Sequence, residues 1–275
     1  MGAVAIVLLN QKGGVGKTST CHHLAGTLSR MGRRLLLLDN DPQSSLTQGL
    51  LGPDAARDLD PSETIYAVYH SGADPRRIAR PTGFERIDLI AGNEMVTEYN
   101  TPRPHLTAHR DHQFALREAV NAARRDYDLV LIDCPPNLHL CSWAALTAAD
   151  RLIIPLQPED YGAQGIRDVH ESIRLVREHT NPGLSVLGYL VTMWNARRAI
   201  HKMYDENLRE LYGTQVFETR IPHAAEYPEA IAYRKPIAMY KPKGAAASRA
   251  SISSARAWIA LAAAPLGLYM AIGLR

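Results

Sequence analysis

An apolar run, Ala3–Leu9 (AVAIVLL), leads straight into NQKGGVGKTST (Asn10–Thr20), and residues of helical period follow as far as Met31. This order of buried strand, glycine-rich loop and helix constrains the chain more than any other feature. Glycines at 13, 14 and 16 let backbone N–H groups turn inward around a phosphate. Lys17 adds a point charge for β- and γ-phosphates, the Thr18 hydroxyl can ligate Mg²⁺, and the helix N-terminus adds its partial positive charge. Gly13, Gly14, Val15, Gly16, Lys17, Thr18 and Ser19 are therefore the expected nucleotide-binding residues.

The rest of the chain alternates strand-length apolar runs with helical segments. Strands are expected at Arg34–Asp39, Ile87–Ala91, Leu129–Asp133, Arg151–Pro155 and Ser185–Thr192, and helices at Gln113–Asp126, Gly165–His179 and Ala199–Tyr212. The strand runs are continuously apolar rather than alternating, which requires burial on both faces. The expectation is an α/β fold: a doubly wound, mostly parallel sheet flanked by helices. Hydrophobic residues make up 46% of the 275, enough for one large core. Gly52–Ser62 and Ser71–Gly83 read as surface excursions, so one domain is expected over 1–256, followed by an apolar tail, 257–275.

Carboxylates accompany the loop. LLLLDNDPQ puts Asp39 and Asp41 at the end of the second strand, and on an extended backbone residues two apart point the same way. LVLIDCPP ends another strand on Asp133. Open parallel sheets bind ligands at this edge. A nucleotide with Mg²⁺ needs carboxylates around the ion and one to position the attacking water.

Three cysteines, Cys21, Cys134 and Cys141, form no C-x-x-C pair, which argues against a disulfide framework, a thiolate zinc site or a bridging cluster. They suit a reducing compartment, the cytoplasm. The net charge of +3 identifies no partner, but Arg234–Arg275 holds seven basic residues and no acidic one. Ala257–Leu274 is 18 residues without a charge, interrupted by Pro265; it reads as the end of a packed helix, Ser248–Ala264, plus an extension rather than a membrane span.

Taken together, QKGGVGKTST, LLLLDNDPQSSLTQGL, YDLVLIDCPPNL, PLQPEDYGAQGI and IPHAAEYPEAIAYRKPI, spread from about residue 4 to residue 240, resemble the ParA/Soj partition ATPases of the wider MinD/ParA group of P-loop NTPases. Gln11 stands where the standard loop has its first glycine, and Lys12 sits five residues before Lys17. A lysine at the start of so short a loop reaches a facing subunit more easily than its own phosphates. The pattern is similar to the deviant Walker A form, K-G-G-x-G-K-[ST], whose leading lysine acts across an ATP-sandwich homodimer. The resemblance implies ATP and Mg²⁺ as cofactors, Lys12, Lys17 and Asp41 as the catalytic set with Asp41 orienting water, Thr18, Asp39 and Asp133 around the metal, Pro222 along the adenine, and Glu159 near the dimer face.

It further implies slow, partner-stimulated ATP hydrolysis that segregates a chromosome, plasmid or protein assembly through ATP-gated, non-specific DNA binding, with a ParB-like adaptor and a nucleoid location. The family segment I-P-R-N-V-R-L-S-E-A-P reads IPHAAEYPEAI here, so His223 and Glu226 replace two arginines, the second associated with DNA. Arg197 is retained, and with Arg198, His201 and Lys202 it is expected to form a phosphate track. Arg76, Arg77 and Arg80 sit in a loop excursion and are not expected to take part in that contact. The first strand starts at residue 3, so no operator-reading domain is expected. The alternative is a MinD-like ATPase working on a membrane surface, for which the tail is the only support.

Overall fold

The structure, a computed structural model, describes residues 2–158, 162–244 and 246–247. Eight strands form one sheet: β1 (Val4–Leu8), β2 (Leu35–Asp39), β3 (Arg80–Pro81), β4 (Ile87–Ile90), β5 (Leu129–Asp133), β6 (Arg151–Leu156), β7 (Ser185–Trp194) and β8 (Val216–Pro222). Their order is β3-β4-β2-β5-β1-β6-β7-β8, and every pairing is parallel except β3 with β4.

Continuous apolar strands explain the layering. Val7, Leu36, Leu38, Val130 and Ile132 face one side, under the helices Ile65–Ser71, Arg110–Ala123, Leu140–Ala148, Gly162–His179 and Ala199–Tyr212. Ile6, Leu8, Leu35, Leu37, Leu129 and Leu131 face the other, under Lys17–Arg30 and Ser45–Leu51. Each such side chain contributes about 1.5–3 kcal/mol by leaving water. With both faces apolar, a one-residue slip would cost little burial, so polar groups must fix the register. The Asp150 carboxylate accepts the Ala5 N–H at 2.8 Å, and the Asp133 carbonyl accepts the Asn40 N–H at 3.0 Å.

The expected strands and longer helices form within a few residues of their expected bounds. Two strands are additional. β8 is an edge strand in which only Val216 and Phe217 are buried, so its sequence carries no long apolar run. β3 is a two-residue edge inside the stretch read as a surface excursion, which also holds the helix Pro75–Ile78. Arg76 is paired with Asp126 at 2.9 Å and Arg80 with Glu63 at 3.1 Å. All three cysteines are buried and unbridged. Among the described residues, no helix is long and apolar enough to cross a membrane. Glu159, the helix expected over Ser248–Ala264 and the 257–275 tail lie outside the described residues.

Candidate functional site

The loop Asn10–Gly16 leaves the C-terminal end of β1, in the middle of the sheet, and enters the helix Lys17–Arg30. Gly14 (φ 76°) and Gly16 (φ 85°) hold left-handed backbone, which a side chain would strain. Neighbours brace the loop from outside. Asn10 donates to the Pro155 carbonyl at 2.7 Å and accepts the Lys12 N–H at 2.9 Å. The Thr192 hydroxyl lies 2.8 Å from the Val15 carbonyl and 3.1 Å from that of Leu156. The Lys17 ammonium donates to the Lys12 carbonyl at 3.1 Å. The sequence does not mark Asn10 and Thr192, because the carbonyls they donate to are remote in the chain.

Asp41 and Asp133 converge on Lys17. Burial lowers the Lys17 pKa, and Asp133, Cys134 and Asp41 oppose that shift. Burial raises the Asp41 carboxyl, against the Gln43 N–H and Lys17. Asp133 is wholly enclosed, and its pKa is pushed well above the carboxylate range by burial first and the Asp39 charge next. The Thr18 hydroxyl beside it favours the charged form, yet both carboxylate oxygens lack a partner of hydrogen-bond geometry. An enclosed acid with two unpartnered oxygens beside Thr18 and a phosphate loop suits a hydrated cation. Among the described residues no three His, Cys, Asp or Glu side chains converge as metal ligands. That fits Mg²⁺, which keeps most of its waters and takes oxygens from phosphates.

Asp39 is placed differently from its neighbours. β2 ends at Asp39, so the alternation of an extended strand does not carry on to Asp41. One Asp39 oxygen accepts the Thr47 N–H at 2.8 Å and the Thr47 hydroxyl at 2.6 Å. Thr47 Oγ1 in turn accepts the Gly92 N–H at 2.8 Å. Asp39 thus anchors the helix Ser45–Leu51 to the ends of β2 and β4. Its pKa is raised by burial, against the Thr47 hydrogen bonds.

Pro222 ends β8, opposite Trp194 at the end of β7, and the next residue, His223, donates its N–H to the Trp194 carbonyl at 3.0 Å. β8 lies three strands from β1, about 14 Å at ordinary strand spacing. The Arg220 guanidinium sits 5.1 Å over the Trp194 ring, and Arg209 and Arg220 pair with buried Asp205. Arg197, Arg198 and Lys202 are exposed where the helix Ala199–Tyr212 begins. His201 corrects the expected track: it is 3% exposed, accepts the Asn195 N–H at 3.0 Å and packs on Trp194, so it faces inward. Glu226 opens the helix Glu226–Ala232, where the helix N-terminus favours its charge.

A family model described as an AAA domain matches residues 3–186. The sporulation initiation inhibitor protein Soj of Bacillus subtilis is 35% identical over 238 residues, covering 86% of this chain and 91% of its own. The chromosome-partitioning ATPase Soj of Thermus thermophilus is 36% identical over 244 residues, covering 86% of this chain and 88% of its own. Among solved structures, a cobyrinic acid a,c-diamide synthase from Mycobacterium smegmatis, with bound ADP and magnesium, superposes with a TM-score of 0.71. It is 31% identical and covers 84% of this chain and 91% of its own.

Proposed function

The chain belongs to the Soj/ParA family of chromosome-partitioning ATPases, and from that premise we propose that it is an ATP-switched dimer that positions or segregates cargo. ATP and Mg²⁺ are its cofactors, which accords with the solved relative holding ADP or an ATP analogue with magnesium. ATP closes the homodimer, the dimer holds DNA without regard to sequence, and a ParB-like partner on the cargo speeds a slow hydrolysis. The working place is the cytoplasm, on the nucleoid. The ATPase domain spans 1–256, with 257–275 as a tail.

The observation that carries this reading is the enclosed, unpartnered Asp133 carboxylate facing Lys17 and Thr18. Thr18, with Asp133 behind it, would hold Mg²⁺, and Asp39, at the end of β2 and braced by Thr47 of the helix Ser45–Leu51, would support both. Bound there, Mg²⁺ would supply positive charge against the phosphate oxygens. Backbone N–H groups of Gly13 to Ser19 cradle the phosphates, and Lys17 exchanges the Lys12 carbonyl for a phosphate oxygen. Asp41 accepts a hydrogen bond from the attacking water and orients it. Lys12 reaches the nucleotide of the facing subunit, and Pro222 lies along the adenine. Arg197, Arg198 and Lys202 meet DNA phosphates, and the Glu226 carboxylate weakens that contact.

Titration with ATP and ADP, with and without a chelator, followed by size exclusion, tests the reading. Mg²⁺-dependent nucleotide affinity and an ATP-dependent dimer are expected. Affinity indifferent to chelation, with a monomer in ATP, would overturn it.

A further inference from the structure

Asn40 separates Asp39 from Asp41 and is completely enclosed. Its groups reach three separate elements. The backbone N–H donates to the Asp133 carbonyl at 3.0 Å, Nδ2 donates to the Cys141 carbonyl at 2.8 Å, and Oδ1 accepts the Tyr69 hydroxyl at 2.9 Å. Tyr69 is 4% exposed on the helix Ile65–Ser71, and its ring stacks on Tyr99 at 5.8 Å and 17°. On the other side of the step, Asp39 is fixed by Thr47. The hydrogen bonds of Asp41 are local by contrast. Its carboxylate accepts the Gln43 N–H at 2.9 Å, and its N–H is 3.4 Å from an Asp39 carboxylate oxygen.

The segment from β2 into Pro42 is therefore held at Asn40, one residue before the Asp41 carboxylate. We propose that Asn40 and Tyr69 clamp this segment against β5 and the helix Leu140–Ala148, and so set where Asp41 stands relative to Lys17 and Asp133. Both are positioning residues for hydrolysis. The physical ground is leverage: backbone one residue from a fixed point moves little, and a displacement near 1 Å at a reacting group costs up to about 100-fold in rate. Tyr69 also carries the constraint outward, because the helix on which it sits lies on the outer layer of the fold. This inference rests on Asp41 being the residue that orients water.

Tyr69→Phe removes the hydroxyl and keeps the stacked ring. Asn40→Ala removes the same link from the other end. Each should lower the basal kcat for ATP by about 10-fold while ATP affinity stays within about twofold, a split that a loss confined to binding would not give. Combining the two should cost no more than the larger single loss. In an Asp41→Ala background, adding Tyr69→Phe should leave the residual hydrolysis unchanged. Unaltered kcat in Tyr69→Phe, or a loss that multiplies with that of Asp41→Ala, would overturn the clamp alone. Wild-type turnover in Asp41→Ala itself would overturn the role of Asp41, and the clamp with it.

Discussion

The Lys17 ammonium donates a hydrogen bond to the backbone carbonyl of Lys12 at 3.1 Å, so the two lysines of the phosphate loop are joined through the side chain of one and the main chain of the other. The contact separates their roles. Lys17 is turned back over the loop, whereas the part of Lys12 that helps hold the loop is backbone and survives any substitution there.

Lys17→Ala should weaken ATP and ADP alike. A charge-assisted hydrogen bond is worth about 1.5–3 kcal/mol, which corresponds to a loss of about 10- to 100-fold in affinity for each nucleotide. Calorimetric titration checks it, and affinities within twofold of wild type would show that the loop does not hold phosphate.

Lys12→Ala keeps the carbonyl that Lys17 uses and the N–H that Asn10 accepts. ATP binding should survive, while ATP-dependent dimerisation and hydrolysis are lost. Size exclusion beside titration distinguishes this from action within one subunit, where binding and dimerisation would fall together.

Asp41→Ala should leave the phosphate cradle intact and stop the water from being oriented. The expected outcome is a persistent ATP dimer with hydrolysis reduced by about 100-fold or more. Release of phosphate at the wild-type rate would refute the assignment.

Asp133→Asn should make the metal-free protein more heat-stable at neutral pH while impairing Mg²⁺-dependent nucleotide binding. Burial and the Asp39 charge raise the folded pKa of Asp133 above its unfolded value, so the folded state holds the proton more tightly. The resulting stability is present below the ordinary carboxylate range and is lost as pH rises toward the folded pKa. Asparagine never ionises, so its advantage should appear at neutral pH and shrink in acid. In a domain of this size each kcal/mol moves the melting point by about 2–4 °C. Melting curves in chelator at both pH values are the measurement, and a less stable variant at neutral pH would contradict the argument.

Arg197→Ala combined with Arg198→Ala should remove DNA binding and spare the ATP dimer, since both side chains are exposed between β7 and the helix Ala199–Tyr212. Glu226→Arg should strengthen it. The slope of log affinity against log salt should change by about 0.9 for each phosphate that is released or newly neutralised. Binding of duplex DNA at several salt concentrations reads this directly, and no effect of Glu226→Arg would count against the surface.

Much of this is legible in the sequence because it is local. A strand, three glycines and a lysine–threonine pair are contiguous in the chain and dictate one another's geometry. The strands of the central sheet announce themselves because each is apolar at every position. What escapes is set by remote partners. β8 is half exposed, and its hydrogen bonds come from β7. His201 reads as part of a basic surface, but the Asn195 N–H and Trp194 draw it inward. Asp39 and Asp41 look equivalent in the sequence, and their partners separate them: Thr47 for Asp39, the Gln43 N–H and Lys17 for Asp41. Asn40 sits between two conspicuous acids, and its tie to Tyr69 spans 29 positions.

β1 is paired with β5 on one side and β6 on the other, with Leu8 opposite Asp133 and Ile153. During synthesis β1 thus waits for neighbours made well over a hundred residues later. Until they arrive, the glycine loop has no walls and the acid beside it has no place. Nucleotide can therefore act on this polypeptide only after the central sheet has assembled, and it then favours the assembled form by about 2.7 kcal/mol when present at a hundred times its dissociation constant. For a slow-folding parallel sheet, the supply of nucleotide in the cell thereby becomes a term in how long the protein survives its proteases.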